Sequence, residues 1–514
     1  MMMPMSLPEV AQAVSGRLEY PVAGGQRTHA EVDVVRSVVT DSRQVEPGAL
    51  FVAVPGERSD GHDFVGRAAG LGACAALVSH LLPECALAQI VVDDTVKALG
   101  RLAAHNIERR RTLEAPFSVV GITGSVGKTT TKDLLAGMLT RLGPTVAPVG
   151  SFNNEIGLPL TALKVGPETR YLVAEMGASQ VGDIAYLTSI VPPDIAVVLK
   201  VGVAHLGVFG SVERIAQAKS EIVQGLLPGG VSVLNADDER VAAMAQLSPG
   251  PVEWFGLSSS LRSGDGCSLD MTASHITSDA FGHPSFDLQA RDEQPVPTRM
   301  SLSGTHNVMN ALAAATVAHY LGLSTTAISQ ELAEHERISA HRMAVSQVER
   351  AGAHFTLIDD SFNANPDSMR AGLKALASWG AGGLGASKPY RIAVLGGMLE
   401  LGEQTLDLHH SIGAYCAQLG LNALVAVGGE DAGLSAMAQA MVEGARAEYA
   451  RLHAADSSQT ETVLLAQGAD QADKLVTELA GQHPGSVVLL KGSHFSGLSG
   501  VAQEWLGDRL GVVR

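Results

Sequence analysis

Residues 117–142 read FSVVGITGSVGKTTTKDLLAGMLTRL: a short apolar run, a glycine-rich turn and an amphipathic stretch. The run 117–122 has the length and composition of a strand. Leu134, Leu135, Met138, Leu139 and Leu142 recur at helical spacing, and Gly143-Pro144 ends that pattern. The turn between them carries Thr123, Gly124, Ser125, Val126, Gly127, Lys128, Thr129 and Thr130, in the order a phosphate-binding loop requires. Glycines let the backbone curl around phosphate oxygens with its amides pointing inward, and the helix N-terminus adds its dipole. Lys128 is placed for the β- and γ-phosphates of ATP, and the Thr129 hydroxyl for Mg2+. The pattern G-x-x-x-x-G-K-[ST] would need glycine at Ile122, so this loop is a shorter variant. A strand, phosphate loop and helix in succession predict an α/β fold with parallel strands joined by helical crossovers.

Working outward, the short apolar runs 171–174, 195–199 and 231–234 alternate with helical stretches and extend a mostly parallel sheet. The Ser-, Gly- and Asp-rich stretch 258–299 interrupts the alternation and reads as an antiparallel appendage or long loops. Upstream, runs 50–54 and 75–78 flank a helical pattern at 64–72, which describes a small α/β domain. Arg109, Arg110 and Arg111 read as the solvated end of a helix over 99–107. Downstream, runs 355–358, 392–395, 424–427 and 487–490 each give way to Gly, Asp or Lys-Gly, the pattern of a Rossmann-like, doubly wound sheet with ligand loops at its strand ends. At about 150 residues per domain, a chain of 514 residues predicts about three domains. The joins fall between 115 and 116 and between 338 and 339, giving domains 1–115, 116–338 and 339–514.

With 46% hydrophobic and 17% charged residues, the chain has ample material for several cores. A net charge of −17 argues against a phosphate-backbone surface, so no nucleic-acid partner is expected. Cys74, Cys85, Cys267 and Cys416 are far apart and form no CxxC pair, which suits a reducing cytoplasm rather than a disulfide framework or structural zinc. Residues 1–14 lack a basic segment followed by an apolar core, and no apolar run is long enough to span a bilayer.

The variant loop, with further segments in the same order, resembles the Mur ligase family over nearly the whole chain. Thr40-Asp41-Ser42-Arg43 and Asp60-Gly61-His62 are similar to the family's UDP-binding region, and Ser42 and Arg43 are implied substrate contacts. The block from Ser151 through Asn153 and Asn154 to Gly157 implies further substrate contacts, with helix capping as the plainer use. Glu175 and Ser179, in VAEMGAS, fall where the family places a magnesium-binding glutamate and a substrate contact. His205 matches a second metal position, and Lys219 a lysine that is carbamylated in several members. Asn307 and Asn310, in GTHNVMN, resemble the adenine-side motif, and Arg342 an arginine directed at the ATP phosphates.

The segment IDDSFNANPDSM, residues 358–369, is similar to the branch of the family that adds D-alanyl-D-alanine. It implies Asp359 as an ATP contact and Asn363, Asn365 and Pro366 as substrate contacts. Gly397 and His494-Phe495-Ser496 depart from the family pattern. The resemblance implies three domains, and the seam near 338–341, which separates the phosphate loop from Arg342, suggests that they close on one another. It also implies a monomeric, ATP- and Mg2+-dependent ligase joining UDP-N-acetylmuramoyl-tripeptide to D-alanyl-D-alanine through an acyl phosphate in peptidoglycan synthesis. Lys128, His205, Lys219 and Arg342 would carry the catalysis. A ligase adding the third residue, a folylpolyglutamate synthetase and a P-loop switch are the alternatives. Absence of a His-Thr-Pro segment and of Asp-Asn-Pro-Arg speaks against the first, and Asp41-Ser42-Arg43 against the second.

Overall fold

The computed structural model describes residues 2–20, 34–56, 59–203, 206–257, 268–335, 339–380, 388–452 and 462–507. Beside a two-stranded antiparallel pair, Met5–Ser6 with Val34–Val35, three larger sheets organise the described residues in sequence order. The first has five strands, ordered Arg17–Glu19, Ala88–Val91, Ala75–Val78, Ala49–Val52, Ser37–Val39; only the pairing of Arg17–Glu19 is antiparallel. Ala49–Val52 and Ala75–Val78 are buried throughout, as strands covered on both faces must be.

The second sheet has nine strands. Ser118–Thr123, the strand entering the glycine loop, lies between Tyr171–Glu175 and Ile195–Val198, paired parallel to both. Val231–Asn235 and Val252–Leu257 continue it in parallel. The stretch expected as an antiparallel appendage supplies Met271–Ser278, Pro284–Ala290 and Val296–Arg299, antiparallel to one another and joined in parallel to Val252–Leu257. Burial alternates with period two along Pro284–Ala290, a sheet with one face packed and one wet.

The third sheet runs Ala344–Arg350, Ala353–Asp360, Ser486–Lys491, Arg391–Leu395, Ala423–Val427, Thr462–Ala466, parallel apart from its first pair. Ala344–Arg350 is an edge strand with a mostly exposed or half-buried face, so it offers no apolar run to a sequence reader.

The helix that joins the first two sheets is Thr95–Arg111, longer than the pattern at 99–107. The arginine cluster at its end is not simply solvated, which corrects the expectation for Arg110. That side chain is 1% exposed, donates to the carbonyls of Thr169, Ala115 and Pro116, and lies over the Phe117 ring. Burying a guanidinium is tolerable because its planar fork meets several carbonyls at once. Arg111 in turn pairs with Asp194.

One apolar core runs without interruption from the first sheet to one face of the second. The two faces of the third sheet have cores of their own, and no described middle-sheet residue belongs to them. The first two units are thus fused by a shared apolar core, whereas the third meets the middle one through hydrogen bonds, the Lys200–Asp367 ion pair and the Phe281–Trp379 ring pair. Interfaces of the second kind permit relative movement.

Candidate functional site

The loop between Ser118–Thr123 and the helix Lys128–Thr140 turns at Gly127, which has φ +86°. A Cβ there would also meet Asn310 Oδ1 at 2.2 Å, so conformation and contact both demand glycine. Lys128 Nζ donates to the Gly124 carbonyl at 2.8 Å, folding the side chain back over the loop. Burial pushes its amine below the ordinary lysine value; Glu175 opposes the shift and Arg342 adds to it.

Glu175 ends its strand at 1% exposure. Its carboxylate accepts from Thr129 Oγ1 at 3.0 Å and Asn153 Nδ2 at 2.7 Å, and no cationic side chain among the described residues pairs with it. Ser151, unassigned from sequence, lies 2.8 Å from Thr129 Oγ1. Arg342 reaches across from the third unit: its Nη2 donates to Ser151 Oγ at 3.1 Å and Thr129 Oγ1 at 3.3 Å, and its guanidinium stacks over the Phe362 ring at 4.3 Å. Lys219, 4% exposed on the helix Val212–Gln224, lines the same cavity. Burial first, and the charge of Lys128 second, bring its pKa down to about 7.

These groups line one cavity of about 1050 Å³, which also takes in Asn154, Ser179, Asn363 and Asn365, and Asp94, Val96 and Lys97 at the start of the joining helix. Asn154 Oδ1 also accepts from the Gly157 amide at 2.9 Å, at the start of the helix Gly157–Ala162. Asn365 caps Pro366–Ser378 in a reciprocal pair with Ser368, and its Nδ2 lies 3.4 Å from the Ser125 carbonyl. Pro366 supplies the first, buried turn of that helix.

A second cavity of about 250 Å³ opens on the other side of Gly127, lined by Asn307, Asn310, His306, Phe255, Asp360 and Lys491 among others. Asn310 Nδ2 donates to Asn307 Oδ1, and Asn307 Nδ2 to the Ser303 carbonyl. Its mix of an aromatic, aliphatic groups and amides suits a flat, polar-edged ring such as a base.

Other expected site residues are not brought to these cavities. The Thr123 hydroxyl is used internally, donating to the Met176 carbonyl at 2.8 Å. Asp359 is 2% exposed and turned away, paired with His341; its neighbour Asp360 faces the second cavity. Ser42 is buried in the first unit, and Arg43 is bound to Asp41 by both carboxylate oxygens. His205 lies outside the described residues. At Gly397, any Cβ would approach Met437 Sδ to 3.0 Å and Leu434 Cδ2 to 3.1 Å, so the space for a larger residue is already filled. Sequence reading missed Ser151, Phe362, Asp360, His306 and Lys491. Ser151, His306, Asp360 and Phe362 stand inside quoted motifs, where only the chain's path tells which member faces the cavity.

A phosphate loop whose nucleotide-side cavities are completed by a separate, doubly wound unit defines a P-loop enzyme of three domains. Residues 34–106 match the Mur ligase family, catalytic domain; residues 122–318 the Mur ligase middle domain; and residues 341–494 the Mur ligase, glutamate ligase domain. The chain belongs to the Mur ligase family. It is 39% identical over 544 residues to the UDP-N-acetylmuramoyl-tripeptide–D-alanyl-D-alanine ligase of Mycobacterium leprae, with 100% of each chain covered. Among solved structures, MurF from Acinetobacter baumannii is 31% identical with a TM-score of 0.78, covering 98% of this chain and 99% of that one. The MurF ligase of Thermotoga maritima, solved in complex with ADP, is 28% identical with a TM-score of 0.71, covering 92% and 97%. Among the described residues, no helix is long and apolar enough to cross a membrane.

Proposed function

We propose that the chain joins D-alanyl-D-alanine to UDP-N-acetylmuramoyl-tripeptide at the expense of ATP, giving the pentapeptide, ADP and phosphate. The observation that carries this reading is the single cavity in which Lys128, Glu175, Lys219 and Arg342 meet the asparagine-bearing loop 361–365. Full-length similarity to a ligase of that specificity supports the substrate pair.

A carboxylate resists attack by an amine because its charge repels the nucleophile and oxide is a poor leaving group. Transfer of the γ-phosphoryl group to the tripeptide's terminal carboxylate gives an acyl phosphate and ADP. The dipeptide amine then adds to the carbonyl, loses its proton, and expels phosphate as the amide forms. Lys128 and Arg342 place fixed positive charge beside the moving phosphoryl group, and the loop amides hold its neighbours in line. Arg342 is suited to this because its guanidinium keeps its charge when desolvated. The second cavity takes the adenine.

Mg2+ fits the residues present. Glu175 is a buried carboxylate that forms no salt bridge among the described residues, and Thr129 adds a hydroxyl. Mg2+ takes few protein ligands and completes its shell with phosphate oxygens and water. Bound there, it would neutralise phosphate charge. Carbamylation of Lys219 would add a second anionic oxygen ligand to this cluster, in place of a buried cation. The test is product mass: ATP, D-alanyl-D-alanine and UDP-linked tripeptides ending in lysine or diaminopimelate should yield a pentapeptide with one of them. Phosphate release without either peptide, or no amide from either tripeptide, would overturn the reading.

A further inference from the structure

Arg342 stands between two left-handed residues, His341 at φ +62° and Met343 at φ +53°. Residues other than glycine seldom adopt that conformation. Two within three positions crank the chain sharply as it enters the third unit. The side chain of His341 holds this crank. Its Nδ1 lies 2.7 Å from Asp359 Oδ2, and the other carboxylate oxygen accepts from the Ser361 hydroxyl at 2.6 Å and the Ser361 amide at 3.2 Å. The His341 carbonyl accepts from the Phe362 amide at 3.3 Å, and Phe362 is the ring on which the Arg342 guanidinium rests. One imidazole–carboxylate pair therefore ties the backbone that carries Arg342 to the strand end that carries its stacking partner. At the far end of the arginine, Nη2 reaches Thr129 and Ser151, while Nε is buried with no hydrogen-bond partner among the described residues.

We infer that His341 is a positioning residue: by pairing with Asp359 it stabilises the left-handed turn that aims Arg342 at the phosphate site. The inference rests on the reading of Arg342 as a phosphate contact. It also accounts for the burial of Asp359 away from both cavities. Glycine at 341 would accept the backbone conformation but lose the pairing. Asparagine tolerates φ > 0 better than most residues and keeps a side chain able to bond Asp359. Alanine loses on both counts.

The experiment compares the full chain with His341→Gly, His341→Asn and His341→Ala, measuring by calorimetry the affinities for ADP and for an ATP analogue with a methylene bridge between its β- and γ-phosphorus atoms. His341→Gly should lower affinity for the analogue about tenfold while leaving ADP within about twofold, since only the γ-phosphate reports on Arg342. Its ligation kcat should fall with KM for the UDP-peptide unchanged, and His341→Asn should recover more of both readouts than His341→Ala. A His341→Gly protein that still discriminates between the two nucleotides as the native chain does would overturn the inference. So would equal loss of both nucleotides together with a lowered melting temperature, which is the mark of a merely structural role. A native chain that binds the analogue but forms no amide would sink the ligase reading, and the binding comparison would still decide the role of His341.

Discussion

The amide of Gly207 donates to the carbonyl of Glu400 at 2.9 Å, bonding a short helix of the middle unit, Leu206–Phe209, to a loop of the third. The contact is backbone on backbone: a Cβ on Gly207 would lie 2.1 Å from the amide nitrogen of Gly402. It is separate from the cluster around Arg342, so the third unit is held at more than one place. A related contact joins the Gly380 amide to the Ala280 carbonyl at 2.8 Å, beside the edge-to-face pair of Phe281 and Trp379.

Gly207→Ala follows directly. Alanine is the better helix former at a position with no left-handed backbone, so the unit itself should not suffer. The added methyl would hold the third unit away from the phosphate loop. Ligation should slow about 10- to 100-fold, the scale set by misplacement of about an ångström. Solution scattering should show less compaction with ATP and UDP-peptide than the native chain shows. Native kinetics in this variant would mean that the contact has no part in closure.

Lys128→Ala should abolish ligation, by about a thousandfold or more, because a fixed charge is removed where phosphoryl charge moves. The fold should remain intact, since among the described residues its ammonium bonds only the neighbouring Gly124 carbonyl and sits poorly solvated. Phosphate release and thermal melting, run on the same preparation, check both halves of the statement.

Lys219 should make activity depend on both pH and carbon dioxide. Only the neutral amine adds CO2, releasing one proton as the carbamate forms, and with a pKa brought down to about 7 the neutral form gains as pH rises from 6 to 8. Added bicarbonate should therefore stimulate ligation more at pH 8 than at pH 6. Lys219→Ala should be nearly inactive and partly rescued by short carboxylic acids. A fully active Lys219→Ala protein would remove the lysine from the site's chemistry.

Arg110→Met should lower stability by about 3 kcal/mol, leaving the carbonyls of Thr169, Ala115 and Pro116 buried without their shared donor. Arg110→Lys should recover little, since one ammonium lacks the fork that meets all three. Denaturant melts of the full chain measure this, with ligation per folded molecule expected to change little.

Much of this protein was legible in its sequence because the decisive signals are local. A phosphate loop is contiguous, and spacing alone puts Gly127, Lys128 and Thr129 at the start of one helix. The parallel strands are apolar runs because both their faces are covered. What stayed hidden has a common physical cause, the direction in which a side chain points. Ala344–Arg350 escaped notice because an edge strand with a largely wet face need not be apolar. Arg110 looked like surface because nothing in its neighbours on the helix announces three carbonyls from other segments.

Asp359 and Asp360 show the division most clearly. The sequence by itself determined that two adjacent carboxylates end a strand in an asparagine-rich turn, and that, being consecutive, they face opposite sides of the sheet. Only the tertiary structure decided which side holds the cavity: Asp360 looks into it with Lys491, and Asp359 turns away to hold His341. Strand alternation is set by covalent geometry and can be read residue by residue. The identity of each face depends on what packs there, Lys491 from 131 residues away on one side and His341 from 18 on the other, which the strand's own sequence does not encode.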